Sequence, residues 1–159
     1  MREGASGEWP VGEGCVDHDA EPAAVVVYAL GAEHGVVREG GIQSYRDLRV
    51  WQDAMGLTEQ VYRASASFPA DERFGLTAQI RRAAISVPSN VAEGWGRGKT
   101  KEYLQFLRYA RASLKEIETQ WLLAQRLGYL DDASTRTLEQ EASVLGRRLL
   151  ALMRALARR

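Results

Sequence analysis

Cationic side chains recur at intervals of seven residues in the second half of the chain. Lys101, Arg108 and Lys115 form one such series, and Arg111 flanks it. Seven residues make about two helical turns, which together span about 10 Å along the axis. The four residues therefore predict a row roughly 20 Å long on one helix. Guanidinium groups can hold phosphate through two parallel hydrogen bonds. This basic row therefore predicts a surface that binds the phosphates of a nucleic acid.

Further basic residues lie on the neighbouring predicted helices. Two arginines fall in the second predicted helix, two cations follow it, and a similar series runs along the fourth. Together with the basic row they make up the candidate nucleic-acid-binding residues. These are Arg81, Arg82, Arg97, Lys99, Lys101, Arg108, Arg111, Lys115, Arg147 and Arg154.

The alternative is that these charges form an ordinary solvent-exposed helix face with no binding role. Acids such as Glu102, Glu116 and Glu139 are interspersed with the cations and would neutralise them locally. No aromatic residue interleaves with the basic row, so base stacking is not expected. Binding through this surface is therefore expected to be phosphate-led and weakly sequence-specific.

Histidine and cysteine are confined to the first part of the chain. Cys15, His18 and His34 all precede residue 45, and residues 45–159 contain neither type. This removes a thiol nucleophile, a histidine base and most transition-metal sites from that part. We therefore expect no enzymatic activity, no cofactor and no metal. The single cysteine offers no disulfide framework and favours a reducing cytoplasm.

A proline lies inside the second predicted helix, among polar side chains. Pro88 has no N–H and its ring crowds the carbonyl of Ala84, so the helix is expected to kink there. A break into two short helices is the alternative. Polar neighbours can donate to carbonyls that lack a partner, and this structural role is preferred to a catalytic one with Glu93 as base. The predicted kink cluster is Ser86, Pro88, Ser89, Asn90 and Glu93.

Charge divides the chain into two parts. Residues 1–44 carry eight acids against two arginines, whereas residues 45–159 carry 19 basic and 13 acidic residues. We predict a disordered acidic extension at 1–43 and a folded domain at 44–159. The longest apolar run, Ala23–Leu30, is too short to span a bilayer, so no membrane association is expected.

Two amphipathic segments open the predicted domain. The first starts with a capping box, Ser44-x-x-Asp47, and is predicted to run to about Ser67. The second is predicted to start after Asp71 and to end around Gly94. Both carry apolar residues beyond the face that a bundle core needs, and we assign this surplus to a contact with another subunit. In the second segment Ala78, Ile85 and Ala92 lie opposite the core stripe. In the first, two apolar stripes merge into one wide face: Leu48, Trp51, Met55, Thr58 and Tyr62, and then Val50, Ala54, Leu57, Val61 and Ala64.

The third and fourth segments are regular. The third, predicted at 100–127, ends before Gly128, and the fourth opens near Asp131. Glu118 lies at the edge of the third seam and, if buried, is expected to pair with an arginine of the second helix. Four such segments with short connections predict an all-α, antiparallel up-down-up-down four-helix bundle. The predicted seams are Tyr103, Leu107, Ala110, Leu114, Ile117, Trp121 and Ala124, then Leu138, Ala142, Leu145, Leu149, Leu152 and Leu156.

Four stretches of this domain resemble the 23S rRNA intervening sequence protein family, also called four-helix-bundle proteins. The stretches are YRDLRVWQDAM at 45–55, FPADERFGLTAQIRRAAISVPSNVAEGWGR at 68–97, KEYLQFLRYARASLKEIETQ at 101–120 and LGYL at 127–130. The acidic leader departs from the family pattern, which begins near the equivalent of Tyr45.

The resemblance implies a homopentameric ring with a basic central channel. It also implies kinship with the accessory variability determinant proteins of diversity-generating retroelements, which bind nucleic acid and partner a reverse transcriptase. The expected partners are thus the chain itself, nucleic acid and a protein such as a reverse transcriptase. An alternative function is a protein-interaction scaffold that docks such a polymerase.

Overall fold

The computed structural model describes residues 42–158. Within this range the chain forms four α-helices, connected by short turns, and no strand. The described part is therefore all-α, as predicted. The acidic extension predicted at 1–43 lies outside the described residues, except for its last two. The helices are α1 (Arg49–Ala64), α2 (Leu76–Gly96), α3 (Thr100–Arg126) and α4 (Asp132–Ala157).

The capping box at Ser44 is present but does not start α1. Ser44 and Asp47 cap each other across a single 3₁₀ turn, Tyr45–Asp47, and Leu48 then adopts an extended conformation with a ψ of 122°. Leu48 is buried in the core. The predicted start at Ser44 was therefore wrong, because the chain bends at Leu48 to bury this side chain before α1 begins.

α2 begins later than predicted and passes through its proline without a break. A 3₁₀ turn, Ala70–Arg73, precedes it, and the Glu72 carboxylate accepts a 2.7 Å hydrogen bond from the Leu76 N–H. The helix then continues past Pro88 to Gly96. The alternative of two short helices is thus not what the structure contains.

The ends of α3 and α4 follow their sequence signals. Gly128, just after α3, has a φ of 74°, which glycine adopts without strain. Asp131 precedes α4, and its carboxylate accepts a 2.7 Å hydrogen bond from the Ser134 N–H. Both boundary predictions are confirmed.

The predicted seams of α3 and α4 form the centre of the core. All thirteen seam residues are buried, and those of α3 are at most 1 % exposed. α1 contributes Val50, Ala54, Leu57 and Val61 to the core. The other stripe is buried at Leu48, partly buried at Trp51 and Thr58, and exposed at Met55 and Tyr62. Burial at intervals of three and four residues is thus what makes these segments helical here.

Each helix packs against two others. α2 lies against α1 and α3, and α4 lies against α3 and α1. Polar contacts cross the α1–α4 interface at two levels, where Asp53 meets Arg148 and Gln60 meets Glu141. Residue numbers rise along α1 as they fall along α4. The helices therefore enclose one core, with the basic row on the outside of α3.

Candidate nucleic-acid interface

The basic row lies on the exposed side of α3. Lys101, Arg108, Arg111 and Lys115 are all exposed, because their spacing places them away from the buried seam. Lys115 is paired with Glu118, whose carboxylate oxygen lies 2.6 Å from its ammonium. Arg108 donates to the Gln105 amide oxygen at 3.1 Å and meets no acid. Among residues 42–158, the other three cations of the row therefore have no acidic partner.

Pairing at Glu118 differs from the expectation. This carboxylate bonds Lys115, one turn earlier on its own helix, rather than an arginine of α2. The Glu118 side chain is 27 % exposed, so water screens its charge and no partner from another helix is required.

Cations at the α2–α3 junction are locally neutralised. Arg97 donates to the Glu93 carboxylate at 2.7 Å, and this hydrogen bond raises the pKa of the guanidinium. The Lys99 ammonium lies 4.0 Å from the Glu102 carboxylate. Both pairs are exposed, so they contribute little to stability, but they reduce the charge available to a phosphate. At this junction the alternative of an ordinary solvent-exposed face describes the geometry better.

The two consecutive arginines of α2 have different surroundings. Arg81 donates to the Ser65 hydroxyl at 2.8 Å, and its guanidinium carbon lies 4.8 Å from the centroid of the Tyr62 ring. It therefore fastens α2 to the end of α1 and lies apart from the basic row. Arg82 is exposed and makes no ion pair with any residue in the described range.

The candidate cations of α4 are also exposed. Arg147 donates to the Ser143 hydroxyl at 2.6 Å, and Arg154 has no acidic partner within residues 42–158. Because α4 packs against α3, these two arginines and the basic row belong to neighbouring helices.

The carbonyl that Pro88 leaves without a donor is satisfied from another helix. The Thr58 hydroxyl lies 2.9 Å from the Ala84 oxygen and 2.8 Å from the Ala54 oxygen. A hydroxyl has one hydrogen, and the Ala54 carbonyl already faces the N–H of Thr58 within α1. The replacement donor is thus Thr58, which the sequence pattern placed only in an apolar stripe.

The predicted kink cluster instead ties α2 to α3. The Asn90 amide donates to the Ser86 carbonyl at 2.7 Å and lies 2.9 Å from the Ser86 hydroxyl. That hydroxyl is in turn 2.9 Å from the hydroxyl of Ser113 on α3. Ser89 is exposed, and Glu93 is engaged by Arg97. The polar residues around Pro88 therefore make structural contacts.

Asp53 is a further polar site, which the sequence did not predict. Its carboxylate lies 3.1 Å from the Arg49 guanidinium and also meets Arg148 of α4, with only 16 % of its side chain exposed. The Arg148 side chain is likewise only 22 % exposed. This pairing orients α1 against α4.

Two negative findings apply to residues 42–158. No group of three or more His, Cys, Asp or Glu side chains is arranged so that it could hold a metal ion. No helix in this range combines the length and the apolar character that crossing a membrane requires.

Comparison with known proteins identifies the family. The model of the 23S rRNA-intervening sequence protein family matches residues 46–151, which include all of α1, α2 and α3 and most of α4. No curated protein matches the chain. The match covers well over half of the sequence and the four helices that enclose the core. The chain therefore belongs to the 23S rRNA-intervening sequence protein family.

Proposed function

We propose that this protein is a non-enzymatic, oligomeric nucleic-acid-binding protein that holds phosphates on the basic row. The observation that carries the proposal is the exposure of Lys101, Arg108 and Arg111 without acidic partners in the described range. Unpaired cations on one rigid helix attract a polyanion and release its counterions when they bind. We place Arg82, Arg147 and Arg154 in the same surface, and we leave Arg81 out because it holds α1.

The proposal includes the arrangement of the subunit and its self-association. We propose that the helices run up-down-up-down, with the α1–α2 face covered by another copy in a pentamer. Support comes from Met55, Tyr62 and Ile85, which are exposed on these two adjacent helices. Large apolar side chains grouped in this way are typical of subunit contacts. We further propose a cytoplasmic location and kinship with the accessory proteins of diversity-generating retroelements.

Binding of labelled oligonucleotides tests this function. Fluorescence anisotropy with RNA and DNA oligomers of equal length, over a series of salt concentrations, should show affinity that falls steeply as salt rises. RNA and DNA should bind with similar salt dependence, because phosphate contacts dominate. A complete absence of binding at the lowest salt concentration would refute the proposal.

A protein-interaction scaffold that docks a polymerase such as a reverse transcriptase is the second candidate. The observation that favours it is Phe74, which is 86 % exposed in the turn before α2 and has the Arg73 guanidinium over its ring. An exposed aromatic ring beside an arginine is typical of an interface anchor. Substitution Phe74→Ser should abolish capture of such a polymerase while leaving oligonucleotide affinity unchanged. Loss of both would contradict the scaffold function.

A further inference from the structure

Tyr109 offers an exposed aromatic ring next to the basic row. The residue is 49 % exposed and directly follows Arg108 on α3. Its ring meets Phe106 edge to face, with 5.8 Å between the ring centroids and an interplanar angle of 86°. In such a contact at least one face of each ring is not covered by the other ring.

The partner ring is fixed by the α2–α3 packing. The Arg97 guanidinium carbon lies 5.2 Å from the centroid of Phe106, and Arg97 is itself held by Glu93. On the α2 side, Phe106 packs closely against Gly94. A Cβ added to Gly94 would lie 2.7 Å from the Cβ of Phe106. Tyr109 thus rests on a rigid support, and a preorganised ring loses little conformational entropy on binding.

Two residues of α3 lie on the helix surface between the side chains of Arg108 and Tyr109. These are Gln105 and Ala112, each of which is three or four residues from both. Gln105 is held against Arg108 by a 3.1 Å hydrogen bond, and Ala112 presents only a methyl group. The side chains of α3 that lie between the cationic group and the aromatic ring are therefore Gln105, which bonds the cation, and the methyl group of Ala112.

We infer that Tyr109 stacks on an unpaired base of a single-stranded nucleic acid, while a phosphate of the same strand binds Arg108. This inference rests on the proposed function and adds a preference for single strands. Every base has a flat face that can stack on a tyrosine ring, whereas the faces of bases in a duplex are covered by their neighbours. This inference departs from the expectation that base stacking does not contribute, because Tyr109 lies beside the row rather than within it.

Two tyrosine variants and an abasic ligand test the inference. We compare wild type, Tyr109→Leu and Tyr109→Phe for binding to a single-stranded oligomer, to an abasic oligomer of the same length and charge, and to the corresponding duplex. Tyr109→Leu should weaken binding of the base-bearing single strand roughly tenfold, because one stacking contact is lost. Its affinities for the abasic strand and the duplex should not change. Tyr109→Phe, which keeps the ring, should bind like wild type.

The outcomes separate this inference from the proposed function. Equal affinities of Tyr109→Leu and wild type for the base-bearing strand would overturn stacking, even if the salt-dependent binding remained. A changed sedimentation coefficient for Tyr109→Leu would also overturn it, since the ring would then belong to a protein contact. If no oligomer binds wild type at low salt, the proposed function itself fails.

Discussion

The Thr58 hydroxyl of α1 replaces, from outside the helix, the hydrogen bond that the Ala84 carbonyl of α2 cannot make. The two oxygens are 2.9 Å apart. Residue 88 is proline, so the usual backbone donor is missing. A buried carbonyl without a partner costs about 1–3 kcal/mol, so the contact lets a proline persist inside α2.

This relationship predicts a coupling between Thr58 and Pro88. Thr58→Val keeps the shape of the side chain but removes the donor, so it should lower the free energy of unfolding by about 1–2 kcal/mol. In a Pro88→Ala background the N–H returns, and the same substitution should cost about 1 kcal/mol less. Urea titrations of the four proteins at one fixed concentration measure this cycle. Equal costs in both backgrounds would show that Thr58 does not serve the proline.

Gly94 should not tolerate a side chain, because α2 and α3 approach each other there. A Cβ at this position would lie 2.7 Å from atoms of both Phe106 and Tyr103. Gly94→Ala should therefore destabilise the protein by about 1–3 kcal/mol. Gly56→Ala is the matched control: nothing lies within 4 Å of its added Cβ, so it should stabilise α1 by about 0.5–1 kcal/mol. Similar shifts of the two melting temperatures would contradict this packing.

Asp131 should make the stability of α4 depend on pH. Hydrogen bonds from Ser134, from its backbone N–H above all, lower the pKa of this carboxyl in the folded protein. Its contribution is therefore present above the pKa of the unfolded chain, about 3.9, and is lost as pH falls through the lower folded value. Asp131→Ala should lower the melting temperature at pH 7, and the difference should shrink in acid. Asp131→Asn, which can cap without titrating, should show a pH-independent difference from Asp131→Ala.

Ile85 should control self-association. Its side chain is 45 % exposed on α2 and is available for a subunit contact. A charged side chain at this position would oppose the contact, because an unpaired charge is costly to bury. Ile85→Glu should convert the assembly into folded monomers, as measured by native mass spectrometry and circular dichroism. Gln79→Glu, an exposed position of the same helix, should leave the assembly intact. A wild-type protein that stays monomeric at high concentration would contradict the proposed oligomer.

Local patterns determined how much the sequence could predict. The seams of α3 and α4, the glycine after α3 and the start of α4 near Asp131 all depend on residues close in sequence, and all were predicted correctly. Arg81 and Arg82 show where such reasoning ends. They are consecutive arginines of one helix, yet one is held by Tyr62 of α1 and by Ser65 just after it, and the other is exposed. Only the side on which α1 packs distinguishes them.

The same limit explains the missed polar contacts. Asp53 with Arg148 is a pairing between residues far apart in sequence, so the sequence could show that each was polar but not that they meet. Tyr109 was overlooked for a different reason. Seven-residue spacing defines the basic row, and a ring 100° around the helix from Arg108 falls outside such a row.

Salt-dependent oligonucleotide binding by two charge-matched variants tests the central claim most directly. One variant carries Lys101→Gln, Arg108→Gln and Arg111→Gln; the other carries Arg46→Gln, Arg63→Gln and Arg73→Gln, so both lose the same charge. We predict that the first loses affinity for all oligomers and that its slope of log K against log salt is smaller by roughly 2–3, while the second resembles wild type. Equal losses in the two variants, or none in the first, would contradict the claim that phosphates bind the basic row of α3.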